Sequence, residues 1–232
     1  MLTIILAESA LELIPSEIRD HPLVRRDANR RRKDSEQLLL DRAYHHGAMS
    51  KLPNSARRGR PDIVHITLLA ALGSPLNLMG QLRVYIHTIG DLVISVSPRA
   101  RIPRNSERFK GLIEQLFETH RVPLTSKPLL EIHKMDLNQL KQLVNPTYTV
   151  GLSVQGEDRE LQRLASSLAG QDRPTVLMGG FPRGHFSEET KRIMDELVRV
   201  HPTGLEAWIV ASWLIFAYET AWGKRGEHKL KS

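Results

Sequence analysis

Two glycine-bearing segments late in the chain have the residue types to hold a small molecule. Met178, Gly179, Gly180, Phe181, Pro182, Arg183 and Gly184 follow an apolar run, residues 175–178. That run reads as a strand, so the glycines stand at its carboxyl end, where α/β sheets bind ligands. Glycine lets a ligand approach the backbone closely and meet its N–H groups. Val200, His201, Pro202, Thr203, Gly204 and Leu205 form the second segment, and the two are expected to wall one pocket. The plainer reading of two glycines after a strand is a turn. Neither the dinucleotide fingerprint G-x-G-x-x-G nor the phosphate loop G-x-x-x-x-G-K-[ST] occurs.

Two arginine groups could meet a polyanion. Arg60 precedes Asp62 by two residues across the rigid Pro61. A carboxylate so placed can hold a guanidinium in one orientation, ready for a phosphate, a base edge or a developing anion. The same spacing also suits a structural ion pair at a helix start. Arg101, Arg104 and Arg108 are three and four apart, which places them on one face leading into a helix. Such a row suits phosphate contacts, or simply a solvated helix edge. The ten histidines include no H-E-x-x-H spacing, and His45, His46 and His87 read as surface and strand residues rather than ligands, so no metal is expected. There is no cysteine and no G-x-S-x-G, which removes thiol nucleophiles, thiolate zinc sites and the usual serine elbow.

The elements that must position these groups follow from periodicity. Residues 3–7, 82–88, 92–96, 148–153 and 175–178 read as strands, the second and third as a hairpin around Gly90 and Asp91. Helices are expected at 9–14, 35–43, 62–72, 105–118, 137–144, 160–168 and 188–199, the last capped by Ser187, with a long apolar helix at 205–222. Residues 123–128 read as a loop and 155–158 as a polar turn. Alternating strands and helices in the last third imply a parallel sheet there.

A chain of 232 residues, 41% hydrophobic, can bury a substantial core as one α/β domain. The absence of cysteine fits a reducing cytoplasm, and the N-terminus lacks a basic leader. Residues 205–222 carry Glu206 and Glu219, which fits a buried or interface helix rather than a membrane span. Net charge is +7, and residues 23–60 alone hold eleven Lys or Arg against four acids. The region 21–60 therefore reads as a basic insert, and a polyanionic partner follows from counterion release.

The segments IILAESALELIP, RRGRPDIVHITLL, SPLN, VYIHT, RIPRNSERFKGL, LMGGFPRG and VHPTGLEAW run in order across nearly the whole chain. Together they resemble the Nep1 (Emg1) family, methyltransferases of the SPOUT class that modify a pseudouridine of small-subunit ribosomal RNA in ribosome biogenesis. The resemblance implies one α/β SPOUT domain over 1–232, a mostly parallel sheet flanked by helices. It further implies a deep C-terminal trefoil knot at about 148–222, a homodimer without membrane attachment, and S-adenosylmethionine as cofactor. Carried over by position, the cofactor residues are Leu152 in a first loop, Gly179 and Gly184 in a second, and Val200, His201, Pro202, Thr203, Gly204 and Leu205 in a third. Arg60, Arg101, Arg104 and Arg108 are the RNA residues, and Arg60 with Asp62 the catalytic pair. Residues 25–33 depart from the family and carry no assigned role. A non-catalytic RNA-binding assembly factor retaining the fold is the alternative.

Overall fold

The computed structural model describes residues 1–229, with side chains as far as Gly223. The chain opens with strand β1 (Leu2–Ser9) and enters the basic region through α1 (Pro22–Arg31) and α2 (Arg42–Met49). It returns to the core with α3 (Pro61–Leu72), the short α4 (Pro75–Leu78), the hairpin β2 (Leu82–Thr88) and β3 (Leu92–Val96), and α5 (Ser106–Thr119). Then come β4 (Arg121–Val122), β5 (Leu130–Lys134), α6 (Leu137–Val144), β6 (Tyr148–Asp158), α7 (Leu161–Ala169) and β7 (Pro174–Gly179). The last elements are α8 (Glu188–Arg192), β8 (Glu196–Arg199) and α9 (Ala207–Lys229). Local chemistry sets several of these bounds. Asn105 caps α5 by accepting from the Arg108 N–H, Asp136 and Gln139 form a reciprocal capping box on α6, and Ser187 caps α8 through the Thr190 N–H.

The strands form one sheet in the order β4-β5-β3-β2-β1-β7-β6-β8. The run β2-β1-β7-β6-β8 is parallel and the β3, β5 and β4 end antiparallel, so the expected mostly parallel α/β sheet is present and begins with the first strand. One face buries Leu2, Ile4, Leu6, Val84, Val150 and Val176 under α3, α5, α7 and α9. The other buries Ile5, Ala7, Val93 and Leu177 beneath α6, joined by Phe186 and Ile193. The basic region has its own small core of Ile14, Ile18, Val24, Leu38, Leu40 and Met49.

Five local expectations are corrected. Residues 9–14 form no helix: Leu13 bridges Leu39, with the Ile14 and Leu40 N–H groups donating to Leu38 and Glu12 carbonyls, because an extended path lets both segments bury their leucines. Residues 35–43 are likewise a single tight turn, an extended stretch, and then α2 capped by Asp41. The polar turn at 155–158 is strand, since β6 continues past an irregularity to pair with β8. Gly156 permits this, as a Cβ there would stand 2.5 Å from the Val198 backbone. The helix foreseen over 188–199 ends at Arg192, because the next segment docks on β6: Asp195 N–H donates to the Thr149 carbonyl and the Asp195 carboxylate accepts from the Thr149 N–H. His45, read as a surface residue, is wholly buried. The two-stranded pairing of β4 with β5 had no expectation attached to it.

The long terminal helix packs on α3 and α7 through Ala211, Leu214, Ile215 and Tyr218. Its outer stripe leaves Ile209, Trp213 and Phe216 exposed, Phe216 at 73%. Among the described residues no helix is long and apolar enough to cross a membrane.

Candidate functional site

One cavity of about 380 Å³ opens at the carboxyl ends of β7 and β8 and along the middle of β6, where its register with β8 breaks, so Leu152, expected in a loop, lies within a strand. Three separate segments wall the cavity. β6 contributes Leu152, Ser153 and Val154; the turn after β7 contributes Gly179, Gly184 and their neighbours; the turn after β8 contributes Val200, His201, Thr203, Gly204 and Leu205. Eight of the nine residues assigned to a cofactor from sequence thus converge. Pro202 stands outside the wall, exposed on the turn. The turns are held in place by backbone geometry. Gly180 donates to the Ala7 carbonyl and accepts from the Ala10 N–H, and a Cβ there would lie 2.1 Å from Ser9 Oγ. His201 Nδ1 accepts from the Thr203 N–H at 3.2 Å, which closes the third segment on itself.

Phe181 belongs to a segment expected to wall the pocket, whereas Phe186 and Ile63 had no such expectation. Phe181 and Phe186 pack edge to face, 5.7 Å between centroids, and Ile63 reaches the cavity from α3. Phe186 and Ile63 were visible in the sequence only as apolar residues, the commonest signal there is. Glu206 also lines the cavity, and its charge acts on the guanidinium of Arg60. The wall mixes apolar side chains with backbone amides and carbonyls, and its volume lies within the range of small-molecule sites.

Arg60 sits at the N-terminus of α3, beside this cavity, and meets Asp62 through two parallel bonds, Nε to Oδ1 at 2.8 Å and Nη2 to Oδ2 at 2.7 Å. The Asp62 bond, outweighing partial burial, raises the Arg60 pKa and keeps it charged. The pair is only half-buried, so the outer edge of the guanidinium remains open to a ligand. Arg101, Arg104 and Arg108 are all exposed, and among the described residues their side chains have no ion pair or hydrogen-bond partner. Their platform is fixed to α3: His65 Nε2 lies 2.6 Å from the Pro103 carbonyl and its ring stacks on Phe109 with centroids 4.3 Å apart.

The basic insert differs from its sequence expectation. Arg31 and Lys33 both bind the buried Glu114 of α5, Arg30 binds Asp27, Arg57 binds Glu8 and Arg58 binds Glu12. Arg25 pairs with Asp20, and Arg42 donates to the Ser55 carbonyl. Lys110 of α5 joins Asp41 and Glu107; burial opposes its charge, but the two carboxylates outweigh this and raise its pKa. Most of the insert's cations are therefore paired inside the molecule, while Arg26, Arg32 and Lys51 are exposed and have no ion pair among the described residues.

The model of a family described as EMG1/NEP1 methyltransferase matches residues 4–219. A Thermococcus kodakarensis protein, ribosomal RNA small subunit methyltransferase Nep1, is 45% identical over 96% of this chain and 100% of its own length. A protein of the same name from Pyrobaculum aerophilum is 44% identical over 88% of this chain and 90% of its own. In three dimensions the chain resembles Archaeoglobus fulgidus Nep1 bound to S-adenosylhomocysteine, with a TM-score of 0.84, 37% identity, and coverage of 94% of this chain and 97% of that one.

Proposed function

Because the chain belongs to the EMG1/NEP1 methyltransferase family, we propose that it methylates small-subunit ribosomal RNA from S-adenosylmethionine, at N1 of a pseudouridine. The observation that carries this reading is the convergence of three separate segments, the middle of β6 and the turns after β7 and β8, on one cavity beside the Arg60–Asp62 pair. The cavity fits the cofactor in size and in kind: apolar Leu152, Met178, Val200 and Leu205 for a purine, and open backbone at Gly204, where a Cβ would meet only Val154 at 3.9 Å, for polar groups. Bound there, S-adenosylmethionine supplies a methyl group on a cationic sulfur. The three wall segments hold it and exclude water. Arg60, oriented by Asp62, stabilises the base as its N1 proton passes to solvent and negative charge grows. Asp62 spends both oxygens on Arg60, which fits an orienting role better than that of a base.

The exposed arginines 101, 104 and 108 grip phosphates around a base turned out of its loop, since a stacked base cannot reach a walled cavity. We read the wall segments as the loops of a C-terminal knot within one domain that carries the basic insert. The outer stripe of Ile209, Trp213 and Phe216 is then a homodimer surface, because so much apolar area on one helix face favours a partner. With ribosomal RNA as substrate, the place of action is the cytoplasm. The test uses labelled cofactor with a pseudouridine-containing stem-loop and a uridine control. Label should enter the pseudouridine RNA alone, because N1 of uridine is spent on its glycosidic bond. Label in both would overturn N1 as acceptor, and label in neither would overturn methylation and leave an assembly factor.

A further inference from the structure

A side chain of the basic insert reaches into the cofactor wall. Arg57 leaves the insert from the tight turn Ser55–Arg57 and lays its guanidinium over the Phe181 ring, 4.0 Å from the centroid. Its Nη1 donates to the His185 carbonyl at 2.6 Å, and its Nη2 meets Glu8 Oε2 at 2.5 Å. Glu8 completes the ring, since its other oxygen accepts from the Ser187 N–H at 2.9 Å. Glu8 has φ +50 and lies where the register of β1 with β2 slips, and a bulge of this kind re-aims a side chain out of its strand. The clasp therefore joins three parts far apart in sequence: the end of β1, the insert, and residues 181–187 of the wall. Gly184 lies directly against Arg57, with room for a Cβ 3.5 Å from Nη1.

We propose that Arg57 is a positioning residue that sets the second wall loop for the cofactor, so that the basic insert controls cofactor affinity. The inference rests on the cofactor reading above. A guanidinium suits the task because it can stack and donate in two directions at once, which an ammonium cannot. Whatever RNA contact steadies the insert then tightens cofactor binding by the same factor that cofactor tightens RNA binding. The test is calorimetric titration of S-adenosylhomocysteine into the wild type, R57A, R57K, E8Q and the double variant R57A/E8Q, with melting curves alongside. Loss of two charge-assisted bonds should weaken binding by about tenfold in R57A, with R57K only partly rescued. The cofactor KM should rise far more than kcat falls, and the double variant should be little worse than R57A because both members act in one clasp. Should R57A fail to fold, R57K and E8Q carry the comparison. Affinities of the folded variants within twofold of wild type would overturn the inference alone, as would fully additive losses. A wild type that binds no S-adenosylhomocysteine would overturn the cofactor reading and this inference with it.

Discussion

The insert of residues 21–60 and the row Arg101, Arg104 and Arg108 look alike in composition and differ in what their charge is for. In the insert, most cations end on a carboxylate of the same molecule, with Glu114 buried between Arg31 and Lys33, and only Arg26, Arg32 and Lys51 are exposed without a side-chain partner among the described residues. In the row, the guanidiniums stand in solvent without partners among the described residues. A cation already paired releases few counterions when RNA arrives, whereas a free one adds fully to the affinity. Basic density in a sequence window is thus a poor measure of nucleic-acid contact when the neutralising acids lie elsewhere. Arg60 stands between the two cases, paired yet open at its edge.

The largest effect should come from that intermediate residue. R60A removes the charge next to the reacting base, and loss of one such stabilising group costs about 10²–10³-fold in turnover. S-adenosylhomocysteine affinity should stay near wild type, since Arg60 is not among the residues lining the cavity. Single-turnover methyl transfer and a titration together check this, and normal turnover would return Arg60 to the insert's class of purely structural pairs.

Next in size is the lock between insert and core. Glu114 is 3% exposed, receives Arg31, Lys33 and the Leu39 N–H, and when neutralised leaves the partly buried Arg31 and the more exposed Lys33 without their carboxylate. Breaking such a buried pair from one side should cost E114Q about 3 kcal/mol in denaturant unfolding. A change near zero would mean the insert's pairing does not hold it, and the contrast with the row would lose its basis.

The row itself is the third measurement. Replacing Arg101, Arg104 and Arg108 by Ala should weaken stem-loop binding by about thirtyfold and lower the slope of log affinity against log salt by about two. R25A, which removes a cation already paired with Asp20, should leave that slope nearly unchanged. Equal losses in the two variants would erase the distinction drawn above.

The sequence carried the regular elements well where one signal dominated. The apolar spacing of Ser106–Thr119, the β-branched run Leu82–Thr88 and the Leu137–Val144 helix are all found where periodicity puts them. It failed where a residue's partner is distant. Leu13 pairs with Leu39, Asp195 docks on Thr149, and Gly156 serves a close strand approach rather than a turn, none of which local propensity records. The cavity was legible because glycines after strands mark its walls, and the resemblance supplied the rest. Arg57 and Glu8 were not, since 49 residues separate two groups whose only common signal is opposite charge.

The smallest effect concerns pH and again separates insert from row. His45 is wholly buried, its Nδ1 accepts from the Asp41 N–H at 3.0 Å, and its Nε2 lies 3.3 Å from Asp27 without forming a hydrogen bond. Burial lowers its pKa, with Asp27 and Asp41 opposing, and His87 is lowered for the same first reason while its Nδ1 accepts from the Glu8 N–H. A second proton would have to sit on Nδ1 and face an N–H donor, so both rings are held neutral. A folded pKa below the unfolded one means the unfolded chain binds protons first as pH falls. Stability should therefore be level above about pH 6.5 and decline below it, by at most about 1.4 kcal/mol per pH unit for each histidine. Carboxylates with lowered pKa, such as Glu107 with its Lys110 partner, titrate well below that window and do not blur it. H45Q should flatten the part of the decline that belongs to the insert, read from melting curves between pH 5.5 and 8. RNA affinity through Arg101, Arg104 and Arg108, measured on protein that remains folded, should not follow the same curve.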